Sequence, residues 1–333
     1  MKAFLLTRYG KKQPLRLAEI PKPAPQADEV LIEVHTAGVN QLDFKLRNGE
    51  FKLILPYQLP TGLGHDVAGV VTAVGARASQ FKVGDEVYAR PADFHIGTFA
   101  ECIAVREADV ARKPRNLTMA EAGSLPLVGL TAWQALVERA NLQKGQKVFI
   151  QAGSGGVGTF AIQLARHLGA YVATTTSAAN TELVKSLGAD LAIDYKTQDF
   201  ENVLNGYDVV LNSQDTKTLE KSLRILKPGG IAVSISGPPT GEYAREFGLP
   251  WYVRLATTLI SFGIRRQAQK LGVRYTFLFM KANGPQLAQL TQLVEAGTIK
   301  PVVDKTFPFA QTNEALAYVE SGRARGKVVV EVK

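Results

Sequence analysis

A glycine-rich turn at residues 153–158 constrains the fold of this chain more than any other feature. The turn reads Gly153-Ser154-Gly155-Gly156-Val157-Gly158 and has the spacing G-x-G-x-x-G. The apolar run 147–152 before it predicts a buried strand, and the segment 158–168 after it predicts an amphipathic helix. A strand, a glycine turn and a helix in this order predict the start of a dinucleotide-binding sheet.

The residue types in this turn suit the binding of a pyrophosphate. Gly153 permits the tight turn, Gly155 lets the backbone approach the phosphates, and Gly158 allows the helix to pack closely on the strand. The helix N-terminus supplies N–H donors and a partial positive charge. All six residues of the turn are therefore candidates for cofactor binding. The alternative is a glycine-rich connection that binds nothing.

The end of the second predicted strand favours NADPH over NADH. Segment 174–180 reads TTTSAAN and lacks the Asp or Glu that would hold the ribose 2′-hydroxyl of NADH. Ser177 and Asn180 offer hydroxyl and amide donors to a 2′-phosphate. Lys185 adds a positive charge and Tyr195 a phenolic donor, although both are also explained as ordinary surface residues. No arginine stands at the strand end, where many NADPH sites have one.

The hydrophobic pattern divides the chain into two regions. Residues up to about 110 form short β-branched runs at 30–36, 68–74, 86–89 and 101–105, which predict a mostly β module. From about 125 onwards, strands alternate with helices, which predicts a doubly wound parallel sheet of the Rossmann type. Its six predicted strands are 147–152, 170–175, 191–194, 208–211, 231–235 and 274–279. Predicted helices are 158–168, 181–187 and 217–226.

The predicted fold class is therefore α/β, with a parallel sheet and a separate β domain. We expect the first domain to comprise residues 1–124, completed by 285–333, and the dinucleotide-binding domain to comprise 125–284. The apolar strand predicted at 327–332 is expected to return to the sheet of the first domain. A helix is predicted at 285–296.

Composition narrows the class of protein further. A chain of 333 residues with 46% hydrophobic residues buries a sizeable core, and its single cysteine excludes an intrachain disulfide and fits a cytoplasmic location. The net charge of +9 suits nucleic acid, an anionic surface or an anionic cofactor. Because aromatic and basic residues are not interleaved as in RNA-binding motifs, a nucleic-acid partner is not expected. Neither a signal peptide nor a membrane span is predicted.

Several further segments resemble the medium-chain dehydrogenase/reductase superfamily, in its zinc-free quinone oxidoreductase and enone reductase branch. The resemblance covers nearly the whole chain, and its motifs occur in a fixed order. It is carried by Ala37-Gly38-Val39-Asn40-Gln41-Leu42-Asp43, residues 62–69 with Val70-Val71-Thr72-Ala73-Val74-Gly75, Val83-Gly84-Asp85-Glu86-Val87, Gly129-Leu130-Thr131-Ala132, the glycine turn, Ser186-Leu187-Gly188-Ala189-Asp190 and Gly326-Lys327-Val328-Val329.

This resemblance implies a GroES-like β-barrel as the first domain, a cofactor in the cleft between the domains and a homodimer. It places Asn40, Asp43 and Tyr57 near the reacting groups, as candidate catalytic residues. Each of these residues also has a purely structural explanation. Asn40 caps a turn after a strand, Asp43 is the N-cap of a helix, and Tyr57 is a packed loop residue. The positions implied at the cofactor, besides the glycine turn, are Asn40, Thr131, Asn212, Ser236, Gly237 and Lys327.

A catalytic zinc is not expected. Relatives that hold zinc use Cys, His and Cys, but Asn40 stands at the first position and residues 124–131 contain no cysteine. His65 alone cannot replace three ligands. Without a Lewis acid, reduction of activated acceptors is favoured, so the expected substrates are quinones or α,β-unsaturated carbonyls. The alternatives are a zinc-type alcohol dehydrogenase, and a cofactor-binding protein with an RNA-binding or structural role.

Residues 238–271 depart from the family pattern. Within them, segment 251–260 predicts an apolar helix, for which we expect a place in the core or at an interface because its basic neighbours do not follow one face. A roof over the substrate, a dimer interface and a membrane surface are the other possibilities.

Overall fold

The computed structural model describes residues 1–52 and 54–333, which form two compact units. Unit 1 comprises Met1–Leu130 and Lys281–Lys333, and unit 2 comprises Thr131–Met280. These limits lie within a few residues of the domain boundaries expected from the sequence.

The first part of unit 1 is built mainly of strands. It contains β1 (Lys2–Leu6), β2 (Arg16–Glu19), β3 (Glu29–Val39), α1 (Gln41–Asn48), β4 (Thr61–Gly62), β5 (Asp66–Val74), β6 (Glu86–Ala89), β7 (Cys102–Arg106), β8 (Val110–Arg112), α2 (Met119–Gly123) and α3 (Pro126–Trp133). The last helix continues across the boundary into unit 2. The predicted mostly β module is confirmed.

Unit 2 begins with a π-helical turn, Gln134–Arg139, and then alternates strands with helices. Its elements are β9 (Lys147–Ile150), α4 (Gly156–His167), β10 (Tyr171–Thr176), α5 (Thr181–Ser186), β11 (Leu191–Asp194), β12 (Tyr207–Asn212), α6 (Thr216–Arg224), β13 (Leu226–Ser234), α7 (Gly241–Glu246), α8 (Trp251–Ile260), α9 (Phe262–Lys270) and β14 (Arg274–Phe277). The chain then returns to unit 1 with α10 (Gly284–Glu295), β15 (Val303–Pro308), α11 (Thr312–Glu320) and β16 (Lys327–Glu331). Short 3₁₀ turns occupy Glu107–Asp109, Ala178–Asn180, Phe200–Asn202 and Phe309–Gln311.

Strand β3 organises the larger sheet of unit 1. It pairs antiparallel with β5, β7 and β16, and it is buried along most of its length. The pairing of Val328 with Val39 brings the C-terminal strand back to this sheet, as the sequence predicts. A smaller sheet has the order β2-β1-β4. Residues near both ends of the chain therefore meet in one fold.

The sheet of unit 2 is parallel throughout and has the strand order β11-β10-β9-β12-β13-β14. This order confirms the predicted doubly wound sheet. Strand order reverses between β9 and β12, and the carboxyl ends of those strands are where ligands bind in such sheets. Consequently the glycine turn after β9 and the residues after β12 lie at the expected ligand-binding edge.

The core on one side of this sheet is continuous and apolar. Phe149 of β9 contacts Phe200 and Tyr207 through ring pairs with centroid distances of 4.8 and 6.5 Å. Leu219 and Leu223 of α6 belong to the same buried cluster, because an i, i+4 spacing places both on one face of the helix. Burial of such side chains is the main stabilising contribution to a unit of this size.

The limits expected for the helix at 251–260 agree with those of α8, and of the two places expected for it, core or interface, the core is wrong. Thr257 is the buried residue of this helix, while Trp251 is 76% and Leu259 66% exposed. Its apolar face therefore points away from the core. No helix in the described part of the chain is both long and apolar enough to cross a membrane.

We predict that Leu223→Ala lowers the free energy of unfolding by about 2–5 kcal/mol, because it leaves a cavity in a fully buried cluster. Chemical denaturation of the purified protein measures this value. The matched control is Leu259→Ala, a helical leucine of the same unit that is 66% exposed, which should change stability by less than about 1 kcal/mol. Equal losses in the two variants would contradict the assigned core.

Candidate functional site: a phosphate cradle and a buried lysine network

The glycine turn adopts the backbone geometry of a phosphate cradle. Ala152 has a φ of 51°, in the left-handed region, and the N–H of Gly155 donates to its carbonyl at 2.9 Å. Helix α4 begins at the next residue, with Gly155 as its N-cap and no side chain capping it. Its first N–H groups are therefore oriented for an anion at the end of the sheet.

Close approach of backbone and side chains requires two of these glycines. A Cβ at residue 153 would lie 2.1 Å from Thr174 Oγ1, and a Cβ at residue 158 would lie 2.3 Å from the carbonyl oxygen of Ala152. At residue 155 the nearest atom would be 3.3 Å away, so this position is freer. The structure thus agrees with the close packing expected for Gly158, and Gly153, which was expected to permit the tight turn, is closely packed as well.

Several residues predicted to select the nucleotide lie together at the end of β10. The Asn180 amide donates to Ser154 Oγ at 3.2 Å, and the Tyr195 N–H donates to the carbonyl of Thr176 at 3.2 Å. Ser177 follows directly on the strand. The buried Oγ1 of Thr176 has no hydrogen-bond partner among the described residues. The residues directly after β10 thus offer hydroxyl and amide groups, and the nearest carboxylate across the sheet is that of Asp194 at the end of β11, which pairs with Thr176.

Lys185 lies outside this group of contacts. It is exposed in the last turn of α5, whereas Asn180 precedes that helix. The structure therefore supplies no contact that ties Lys185 to the end of β10, and its role remains a prediction.

The end of β12 is fixed by an amide network. Asn212 is fully buried, donates to Gln151 Oε1 at 2.7 Å and accepts from Ser234 Oγ at 2.5 Å. The Ser236 hydroxyl donates to the carbonyl of Gln214, and the N–H of Gly237 donates to Ser234 Oγ at 2.8 Å. Asn212 therefore positions the ends of three neighbouring strands, β9, β12 and β13. No pattern in the sequence indicates Gln151 as the partner of Asn212.

Unit 1 contains a buried network around Lys327. Its ammonium group donates to Asp66 Oδ2 at 3.0 Å, to the carbonyl of Val39 at 3.2 Å and to Asn40 Oδ1. Asp66 accepts further hydrogen bonds from the amide of Asn40 at 2.9 Å and from the N–H of Leu127 at 2.7 Å. The charge of each ion is thus compensated inside the fold.

Asp43 and His65 extend this network towards α1. His65 Nδ1 lies 2.5 Å from Asp43 Oδ1, and Asp43 Oδ2 accepts the N–H of Asn40 at 2.7 Å. Asn40 occupies the N-cap position of α1 while its side chain bonds to Lys327 and Asp66, and Asp43 is the third helical residue, so the alternative of Asp43 as N-cap is wrong. The other ring nitrogen of His65, Nε2, is buried without a partner among the described residues.

The donor groups of this network do not fit a zinc ion. Among the described residues, no group of three or more His, Cys, Asp or Glu side chains could hold a metal. The oxygen of Asn40 already accepts a lysine ammonium, and the single thiol, Cys102, lies on β7. Zinc prefers thiolate and imidazole ligands with one open position. We therefore derive no reaction step from zinc.

Tyr57 lies half-buried in a separate part of unit 1. Its hydroxyl accepts the N–H of Phe94 at 3.2 Å, and the two rings have a centroid distance of 5.1 Å. The Tyr9 hydroxyl donates to the Tyr57 carbonyl at 3.2 Å. Burial raises the pKa of Tyr57 to about 12, so the phenol stays protonated at neutral pH. It can donate its proton in a hydrogen bond.

The structure thus groups the predicted site residues unevenly. Asn40, Asp43 and Lys327 share one buried network in unit 1, while the glycine turn, Asn180, Asn212 and the residues after β13 share the carboxyl edge of the sheet in unit 2. Thr131 is buried in α3. Sequence reasoning missed Asp66 as the partner of Lys327, although its place directly after His65 in the family motif was a usable signal.

We predict that Lys327→Met lowers the free energy of unfolding by about 3–5 kcal/mol, because it leaves the Asp66 carboxylate buried without its cation. Denaturant titration measures the loss. Lys333→Met is the matched control, because the Lys333–Glu33 pair is solvent-exposed and should contribute less than about 1 kcal/mol. A Lys327→Met protein as stable as the control would show that the buried pair does not support the fold.

Comparison with known proteins agrees with both units. A family model described as the alcohol dehydrogenase GroES-like domain matches residues 26–137, and one described as zinc-binding dehydrogenase matches residues 187–330. A solved quinone oxidoreductase from Coxiella burnetii superposes with a TM-score of 0.87 at 30% identity, covering 100% of this chain and 99% of that one. The predicted GroES-like and Rossmann folds are confirmed.

Two curated relatives are similar over almost the whole chain. One is the 2-methylene-furan-3-one reductase of Solanum lycopersicum, which is 38% identical and covers 99% of this chain and 79% of its own length. The other is the chloroplastic NADPH-dependent alkenal/one oxidoreductase of Arabidopsis thaliana, which is 37% identical with the same coverage. The chain therefore belongs to the medium-chain dehydrogenase/reductase superfamily of oxidoreductases, in its quinone oxidoreductase and enone reductase branch.

Proposed function

We propose that this protein is an NADPH-dependent reductase of quinones or α,β-unsaturated carbonyls that works without zinc. The observation that carries this proposal is the Lys327 ammonium bonded to Asn40 and Asp66. Asn40 stands at the position where zinc-dependent relatives have their first Cys ligand, and its side-chain oxygen accepts a hydrogen bond from the Lys327 ammonium. Because nothing there polarises an alcohol, acceptors that are already activated are the better substrates.

The cofactor fits the residues of unit 2. The close packing at Gly153 and Gly158 leaves backbone N–H groups free to bind a pyrophosphate, and Ser177, Asn180 and Tyr195 offer donors for a 2′-phosphate. The name of the 37% identical Arabidopsis relative supports NADPH. When bound, the nicotinamide supplies the hydride, and the protein orients it.

Tyr57 is our candidate for the hydrogen bond to the substrate oxygen. Because its hydroxyl accepts from Phe94 and remains protonated, it can donate to an enolate or hydroquinone oxygen as negative charge develops there. The polar atoms of Asn40 and Asp43 are engaged within unit 1. We assign these two residues a positioning role, because they fix the start of α1.

The acceptor class can be identified with a substrate panel. Oxidation of NADPH and of NADH should be followed with benzoquinone, phenanthrenequinone and an alkyl vinyl ketone, and a simple alcohol should be tested with oxidised cofactor. Rapid oxidation of NADPH by a quinone or the vinyl ketone is the expected result, and it also identifies the acceptor. Turnover of the alcohol alone would contradict the proposal.

Replacement of Tyr57 tests its role directly. We expect Tyr57→Phe to lower kcat by roughly 10²-fold, because a proton donor to the reduced substrate is removed. The control is Tyr9→Phe, which loses the hydroxyl that donates to the Tyr57 carbonyl and should change kcat by less than about threefold. Between pH 6 and 9, roughly the working range of such assays, no loss of rate from Tyr57 ionisation is expected, since its pKa is about 12. An active Tyr57→Phe enzyme would contradict the assignment.

Nucleotide preference depends on the absence of a carboxylate after β10. We expect Ser177→Asp to raise the KM for NADPH at least about tenfold and to leave that for NADH nearly unchanged, because the new charge repels the 2′-phosphate. Steady-state kinetics with both nucleotides measures this change. Ser186→Asp adds the same charge on an exposed position of α5 and serves as the control. An equal effect in both variants would indicate a general electrostatic change.

We also propose that the protein is a homodimer and that it works in a reducing compartment. Strand β14 ends the sheet of unit 2 and pairs with β13 on one side, so its other edge suits pairing with a second copy in a homodimer.

Cys102 is a buried free thiol, which fits a reducing compartment such as the cytoplasm.

A further inference from the structure

Helix α8 and the start of α9 carry an exposed apolar face. Residues 251, 255 and 259 are spaced by four and so form one stripe along α8. The large apolar side chains exposed here are Trp251 (76%), Tyr252 (60%), Leu255 (53%), Leu259 (66%), Ile260 (63%) and Phe262 (56%). A contiguous group of this kind on the surface of a folded protein marks an interaction site.

The charged residues within the chain segment that carries this face are all basic. No Asp or Glu occurs between Glu246 and Glu295, whereas six basic residues do. Those nearest to the apolar face are Arg254 on α8 and Arg265, Arg266 and Lys270 on α9, all of them exposed. An acidic partner would therefore meet no repulsion along this stretch.

Three arginines also converge beside the face. Arg245, Arg254 and Arg265 line a surface pocket of about 240 Å³, together with one carboxylate, Glu242, and two threonines. The Arg265 guanidinium donates to the carbonyl of Thr258 at 3.1 Å, which anchors it on α8. Three guanidinium groups against one carboxylate favour an anion, and guanidinium geometry suits a phosphate.

The pocket is held in place by tight packing of α7 on α8. A Cβ at Gly241 would lie 2.2 Å from Thr258 Oγ1, so the two helices approach as closely as a glycine allows. Arg139 forms an ion pair with Glu246 at the end of α7, and that carboxylate is thereby neutralised. The arginines and the apolar stripe thus belong to one ordered surface.

We propose that α8 and the start of α9 form a peripheral membrane-binding face that docks on a bilayer containing anionic phospholipid. Helices that lie at a membrane surface combine Trp, Phe and Leu on one side with Lys and Arg around them. Here the apolar stripe enters the boundary between headgroups and acyl chains, and the surrounding arginines contact lipid phosphates. This inference is independent of the proposed reductase activity.

A second copy of the chain fits this face less well. A two-fold interface places the same patch on both subunits, so Arg254, Arg265 and Arg266 would approach their own copies with no acidic residue of the segment to pair with. A negatively charged lipid surface instead complements all of them.

Vesicle binding by the full-length protein tests the proposal. The purified protein is floated with vesicles of phosphatidylcholine alone, or of phosphatidylcholine mixed with phosphatidylglycerol, at low and at high salt. We expect binding to the mixed vesicles, little binding to phosphatidylcholine alone, and a clear loss at high salt because screening weakens the contact with phosphate.

Two sets of variants separate the apolar and the charged contribution. We expect Trp251→Ser with Leu255→Ser, and separately Arg265→Gln with Arg266→Gln, to lower the partition onto mixed vesicles at least about tenfold. Matched controls in unit 1 are Val83→Ser, which removes a side chain that is 63% exposed, and Arg323→Gln with Arg325→Gln. Circular dichroism and the solution reductase rate verify that each variant is folded.

The outcomes decide between lipid and protein as the occupant. Loss of vesicle binding in both variant sets, with controls unchanged, supports the proposal. No binding of the wild type to mixed vesicles, or equal binding by all variants, overturns it. If Trp251→Ser with Leu255→Ser converts a dimer to monomers in analytical ultracentrifugation, the face is a contact between copies, and the membrane proposal is wrong.

Discussion

The buried ion pair between Lys327 and Asp66 is the interaction on which unit 1 depends. Lys327 begins the C-terminal strand β16, and Asp66 begins β5, so their contact joins segments 261 residues apart in the chain. Two ions taken out of water need compensation, which the amide of Asn40 and the N–H of Leu127 supply. The same contacts fix the N-cap of α1 and, through Asp43, the ring of His65. One network therefore positions the starts of β5, β16 and α1, and the polar atoms of Asn40 are engaged in it.

In unit 2 the corresponding constraint is steric, namely the close packing of the glycine turn, and it does not involve a buried charge. Its turn can follow β9 only because residues 153 and 158 lack a Cβ, which brings the first N–H groups of α4 to the edge of the sheet. Around it, Gln151 and Asn212 hold the ends of β9 and β12 in register. A cradle of this kind binds phosphates with backbone groups, which do not titrate. In the function we propose, selectivity between nucleotides therefore depends on the side chains that follow β10.

Periodicity and turn chemistry predicted most of the fold, because both are local. The limits of β6, β11 and α8 agree with the sequence prediction, and the alternation of strands and helices predicted the doubly wound parallel sheet of unit 2. Long-range partners could not be predicted in the same way: the bond of Lys327 to Asn40, or of Asn212 to Gln151, depends on how distant strands align. For the same reason, the apolar pattern of α8 predicted a helix but not its exposure, since core and surface patterns differ only in what packs against them. Lys185 is a candidate from the sequence for the nucleotide site, and the structure leaves its side chain exposed to solvent.

One measurement tests directly whether the protein reduces its acceptor without a metal. The purified protein is dialysed against a chelator, its zinc content is determined, and its NADPH-dependent reduction of the best quinone or enone acceptor is compared before and after. We predict full activity with far less than one zinc per chain, because the atoms that a metal would need already bind Lys327. Stoichiometric zinc, with activity lost on chelation and restored by added zinc, would contradict the central claim.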